Sequence, residues 1–155
     1  MSQTNSLTTR LKVFFVFIGT FILTASINIS TIFLADGSQK TNALMIILSF
    51  FAATTLIRPI SGGHVNPAVT LGLYFAKAPE IRSKDQELFI LYVIAQVLAA
   101  VSACFFSYIF YMGNIFKQAP SPQTTLFQAF LSEIVTTFLL VYTILCQGNR
   151  LLTKY

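Results

Sequence analysis

Ser61-Gly62-Gly63-His64-Val65-Asn66-Pro67-Ala68-Val69-Thr70 is a polar, glycine-containing stretch set between two strongly apolar segments. Backbone at bilayer depth needs a partner for every N–H and C=O, so a nonhelical stretch survives there only if it is buried in protein or lines a water-filled cavity. Gly62 and Gly63 permit backbone angles that side chains resist, and they add no bulk. Asn66 is a favoured N-cap, and Pro67 suits the first helical position, where no amide donor is needed. The stretch therefore predicts a loop over Ser61 to Val65 and then a helix from Pro67 to Ala76, about 15 Å long, half of a ~30 Å hydrocarbon core. In such a loop the carbonyls of Gly62, Gly63 and His64 form a ladder of acceptors for a permeating polar molecule. The positive end of the helix, equivalent to about half a charge, sits near mid-membrane and repels cations, while the Asn66 amide can donate to a passing oxygen.

The membrane setting comes from composition. Of 155 residues, 55% are hydrophobic and 10% charged, against about 25% charged in a soluble domain. The net charge of +5 comes from ten basic residues scattered singly, with no stripe or cluster that would bind nucleic acid. Cys104 and Cys146 lie in separate apolar runs and read as small buried hydrophobes, with no metal site and no disulfide framework between them. The load of 16 Phe and 6 Tyr reads as lipid-facing and packing surface.

Outward from the loop, the chain divides into spans. Residues 1 to 12 form a short polar tail ending in Arg10 and Lys12, and Val13 to Ala35 is uncharged, long enough to cross a bilayer and too long for the core of a signal peptide. The Asn28-Ile29-Ser30 sequon falls inside that span, out of reach of glycosylation. Asp36 to Lys40 reads as a turn, and Thr41 to Ile57 as a second span ended by Arg58-Pro59, since proline disfavours helix in the residue before it. Beyond the central stretch, Lys77 to Glu87 is a charged loop, Leu88 to Phe116 a third span, Lys117 to Pro122 a loop and Thr124 to Gly148 a fourth span broken only by Glu133. Ala95, Ala99 and Ala103 recur every four residues on the third span, which lets another helix approach closely.

With the N-terminus cytoplasmic and the central stretch re-entering from that side, Arg10, Lys12, Arg58, Lys77, Arg82, Lys84, Arg150 and Lys154 are inside, and only Lys40 and Lys117 outside. This follows the positive-inside rule. Gly19-Thr20-Phe21-Ile22-Leu23 also aligns with Thr136-Thr137-Phe138-Leu139-Leu140, an offset of 117 between spans that run in opposite directions. Inverted repeats with broken helices near the midplane are a recurring transport architecture.

Ser61 to Thr70 resembles the first signature loop of the aquaporin and glycerol-channel family, the major intrinsic proteins. Phe17-Ile18-Gly19-Thr20-Phe21 resembles the family's first helix, Tyr92-Val93-Ile94-Ala95-Gln96 its third, and Glu133-Ile134-Val135-Thr136-Thr137-Phe138 its fourth. The resemblance implies an all-α transmembrane bundle with four spans and one re-entrant half-helix in a single, incomplete aquaporin-like domain over 1–155. Its first repeat covers about 11–116, and the start of an inverted second about 124–148. It implies a channel for water, glycerol or other small neutral solutes, assembled as a homotetramer when full length, working in the lipid bilayer without cofactor or catalysis. Asn66 is then the conduction-site donor, Gly62, Gly63, His64, Pro67 and Ala68 line the pore with it, and Ile46 falls in the outer selectivity filter, where an aliphatic residue suggests a wider opening.

Two departures from the family pattern stand out. The family usually carries a buried glutamate in the first helix that holds the loop backbone; the repeat offset puts Val16 there. Its repeat partner Glu133 is present and is expected to brace a second signature loop, whose asparagine the offset places near position 183, past Tyr155. The expectation is thus a truncated product or fragment of a channel, or else a non-conducting channel-like subunit that associates with full-length relatives. A proton carrier or enzyme built on His64 and Glu133 is the third reading. It is disfavoured because His64 is the only histidine and has no carboxylate near it in sequence.

Overall fold

The computed structural model describes residues 2–33, 39–112 and 123–152. Regular structure among them is entirely helical: α1 (Ser2–Phe33), α2 (Gln39–Ser61), α3 (Pro67–Phe75), α4 (Pro79–Lys84), α5 (Gln86–Phe110) and α6 (Leu126–Leu152). Four of these carry segments long and apolar enough to cross a membrane, Leu7–Ile32, Thr41–Ser61, Gln86–Phe110 and Leu126–Gln147. The chain is an integral, multi-pass, all-α membrane protein. Most of the turn expected at Asp36 to Lys40, the loop at Lys117 to Pro122 and the end of the third span beyond Met112 lie outside the described residues.

Three boundaries differ from expectation. The polar tail continues α1 down to Ser2, because residues 2–12 hold no glycine or proline to stop a helix. α2 runs past Arg58-Pro59 to Ser61. Pro59 withholds one backbone donor, but the final turn keeps Ser61 Oγ donating to the Ile57 carbonyl at 3.1 Å and Gly62 N donating to Arg58 O at 3.0 Å. The helix stops where Gly62 takes φ +87°. The third difference is α4, inside the stretch expected to be a loop. Pro79 occupies its first turn, with Glu80 near its start and Arg82 and Lys84 in its last turn, charges that suit the helix dipole.

α1 is the hub, packed on one side against α5 and on the other against α2. The alanine stripe makes the first contact close: Ala95, Ala99 and Ala103 are buried, continued by Ser107 one turn on. The second contact forms a cluster of Leu23, Ala53, Ile57 and Val65, flanked by Phe15, Ile22, Ile27 and Phe50. At Gly19 the helices meet without room for a methyl group, since a Cβ there would lie 2.7 Å from Ile57 Cδ1 and 3.2 Å from Val65 Cγ1. Polar pairs fix the far half of the bundle. Asn28 Nδ2 donates to Ser107 Oγ at 3.3 Å, so the sequon asparagine serves a contact between spans. Ser30 Oγ lies 2.8 Å from the Asn42 amide.

α6 is placed differently. It packs on α3, with Val141 against Gly72, and none of its described side chains is fully buried. Phe51, Phe105 and Phe138 also stand on outward faces, where acyl chains replace water. The two cysteines are a correction: Cys104 and Cys146 are exposed rather than buried. Each falls on an outward side of its helix, although Cys104 Sγ still lies 3.7 Å from Asn28 Nδ2.

Candidate functional site

The loop between α2 and α3 is nonhelical from Gly62 to Asn66 and follows the turn chemistry its residues allow. Gly62 and Gly63 both have positive φ, +87° and +80°. Val65 then plugs the loop into the core beside Ile57, 3% exposed. Asn66 caps α3 as expected: its backbone is extended, and Oδ1 accepts from Ala68 N at 2.8 Å. α3 has nine residues, one turn-end shorter than the sequence predicts, and so rises about 14 Å.

Val16, where a loop-bracing glutamate was expected, offers the loop no hydrogen bond, and α5 supplies its anchors. Tyr92 Oη donates to the Ser61 carbonyl at 3.0 Å, one of the C-terminal carbonyls of α2 that no helical amide can reach. Gln96 spends both protons of its amide on the site, giving one to His64 O at 3.1 Å and one to Thr70 Oγ1 at 2.8 Å. A carbonyl can only accept, so this contact fixes which end of the Gln96 amide faces the loop. Val16 itself is fully buried against Tyr92 and Ala95. The glutamine keeps one unmet demand: its Oε1, like Thr20 Oγ1, is buried with no partner among the described residues.

Thr70 is the junction of this network. Its hydroxyl proton goes to the Asn66 carbonyl at 3.1 Å, so the oxygen acts as acceptor both for Gln96 and for His64 Nδ1 at 3.3 Å. That arrangement selects the Nδ1–H tautomer of His64 and leaves Nε2 with its lone pair. The imidazole also packs edge-on against Tyr92, with ring centroids 5.1 Å apart. No group of three or more histidine, cysteine, aspartate or glutamate side chains capable of holding a metal occurs among the described residues.

The residues expected to act together are only partly assembled. Gly62 and His64 line a cavity of about 270 Å³ whose wall includes Thr70, Tyr74 and Tyr92. Gly63, Asn66, Pro67 and Ala68 lie outside that lining. Asn66 is half-buried, and its Nδ2 has no acceptor among the described residues. Ile46 is half-buried on α2, fifteen residues before the helix ends at Ser61, or roughly 22 Å away along the axis. Glu133 is exposed on α6, and its carboxylate has no ion pair among the described residues. Tyr92 and Gln96 are the residues sequence reasoning underused. The signal was there, as two polar side chains four positions apart on one face of an otherwise apolar span.

A family model described as "Major intrinsic protein" matches residues 4–151. Aquaporin AqpM of Methanothermobacter marburgensis is 33% identical over 159 aligned positions, covering 83% of this chain and 61% of that protein. Two Zea mays relatives are similar over shorter stretches. Aquaporin TIP2-3 is 34% identical over 102 positions, covering 66% of this chain and 39% of its own length. Aquaporin PIP1-2 is 40% identical over 99, covering 61% and 32%. The chain spans less than two thirds of the length of each of these relatives.

Proposed function

The chain belongs to the major intrinsic protein family, and from that membership we propose that it works as part of a membrane channel for water, glycerol or similar small neutral solutes. The observation that carries this reading is the unpartnered Nδ2 of Asn66. The capping bond to Ala68 takes the side-chain oxygen and holds the amide still, while the nitrogen stays free to donate at the positive end of α3. A neutral solute oxygen satisfies that donor, and a cation is repelled by the same dipole.

On this reading Gly62, Gly63, His64, Asn66, Pro67 and Ala68 line one half of the path, with the N-terminus cytoplasmic. Ile46 belongs to an outer filter, and Glu133 braces a second signature loop. The single domain over 1–155 holds one repeat and the start of its inverse, and a homotetramer is the expected assembly of a complete channel. A second reading, a non-conducting subunit that associates with family members, is favoured by the surface of α6, which has no fully buried side chain among the described ones to tie it into this bundle.

Stopped-flow permeability of proteoliposomes tests both. The 155-residue chain alone is expected to leave water and glycerol permeability at the level of empty liposomes. Co-reconstituted with a polypeptide carrying the second signature half of an aquaporin relative, it is expected to raise permeability, and Asn66→Asp in this chain is expected to abolish the rise. A folded complex of the two that conducts nothing sinks the channel reading in favour of the non-conducting subunit.

A further inference from the structure

The cavity beside the loop carries an unbalanced charge that solute conduction does not use. Lys12 from α1, Arg58 from the last turn of α2 and Lys77 just beyond α3 all line it, together with one carboxylate, Asp85. Three cations and one anion leave a surplus of two positive charges. The anion is already committed, since Asp85 Oδ2 lies 2.6 Å from Lys77 Nζ. Lys12 and Arg58 have no ion pair among the described residues. Two cations without a counter-ion beside one partly enclosed space, Lys12 half-buried and Arg58 exposed, favour the entry of an anion.

The rest of the lining suits an anion with an organic body. Tyr74 contributes a hydroxyl without a hydrogen-bond partner among the described residues, and its ring stacks on Phe89 at 4.4 Å to make an apolar wall. The volume of about 270 Å³ lies at the lower edge of small-ligand sites, a fit for a headgroup rather than a whole lipid. Arg58 in the last turn of α2 and Lys77 just beyond α3 sit at helix ends, Lys12 lies within α1 near the start of its apolar segment, and basic pockets between spans are suited to phosphate.

We propose that this cavity is a binding site for a phosphate-bearing anion, held between Lys12 and Arg58 with the Tyr74 hydroxyl as a further donor. This does not depend on the chain conducting anything. The phosphate can come from an anionic lipid headgroup or from free phosphate, and the two sources are separable.

The test uses the purified 155-residue protein in a nonionic detergent, titrated in turn with phosphatidylglycerol, phosphatidylcholine and inorganic phosphate. Bound ligand is read by native mass spectrometry and by the shift in Tm. Phosphatidylglycerol is expected to bind in preference to phosphatidylcholine, and Lys12→Ala with Arg58→Ala to weaken that binding about 30-fold. Lys84→Ala, on the same face but outside the lining, is expected to leave it unchanged. A Lys12- and Arg58-dependent response to inorganic phosphate as strong as that to the lipid assigns the site to the free anion; a response to the lipid alone assigns it to the headgroup. The single variants Lys12→Gln and Arg58→Gln carry the comparison should the double variant fail to fold. Binding that ignores both residues, or that falls equally with Lys84→Ala, overturns the proposal.

Discussion

Gln96 Nε2 lies 2.8 Å from Thr70 Oγ1, joining the middle of α5 to the first turn of α3 across 26 positions of chain. Through the same nitrogen the glutamine holds the His64 carbonyl, so one side chain carries much of the loop's anchoring. Gln96→Leu is expected to destabilise the fold by about 1–3 kcal/mol, the usual consequence of stranding buried acceptors. Gln96→Glu should do more damage, because it sets a carboxyl oxygen against the His64 carbonyl at a fully buried position. Thermal unfolding in detergent ranks the two variants, and a neutral Gln96→Leu would show that the contact contributes nothing.

Tyr92→Phe isolates the second anchor. The ring keeps its place against His64, and only the hydrogen bond to the Ser61 carbonyl is lost. A loss of about 1–2 kcal/mol is expected, with faster hydrogen exchange confined to the end of α2 and the loop. Exchange that speeds up equally in α1 and α5 would point instead to a general loss of packing.

Gly19→Ala tests the close approach of α1 to the loop. The new methyl would meet Ile57, which is fully buried, and Val65. Overpacking of this kind costs about 1–3 kcal/mol. Ile57→Val removes the Cδ1 atom in the tightest contact, so the double variant should recover part of what Gly19→Ala loses. Strict additivity in a double-mutant cycle would contradict the contact.

Asn66 has two separable tasks. Asn66→Ser keeps a capping oxygen and should hold stability within a few tenths of a kcal/mol, whereas Asn66→Ala should cost about 1 kcal/mol. Both remove the Nδ2 donor. In the co-reconstituted liposomes, Asn66→Ser is therefore expected to lower solute permeability with no matching change in Tm. Full permeability in that variant would remove the amide from the conduction path.

How far the sequence reached depended on whether a feature was local. The cap at Asn66, the turn glycines and the alanine stripe were legible because each is decided by residue type and spacing along one segment. The cysteines were misplaced because an apolar run reads the same whether it faces protein or lipid. Pro59 misled because its effect on the preceding residue was weighed without the hydrogen bonds of Ser61 and Gly62, which carry the turn through. The anchoring of the loop by Tyr92 and Gln96 joins residues about thirty positions apart, so the polar pair on α5 was legible as a pair but its partners in the loop were not. The basic cavity was hidden for the same reason, its cations being scattered singly along the chain and gathered only by the fold.

The position of α6 bears on how the protein is made. α3 lies between α5 and α6, so its second flank is covered only when α6 arrives. The 72 residues between Phe75 and Gln147 take roughly 4 to 14 s to synthesise at ~5–20 residues per second. For that interval the re-entrant helix has α5 as a companion once that span emerges, with the Thr70 hydroxyl held by Gln96, while its Gly72 side faces lipid or the insertion machinery. A nascent chain halted before Leu126 should therefore expose the Gly72 side of α3 to membrane-soluble crosslinkers that α6 excludes once in place, making α6 a late-arriving shield in biogenesis.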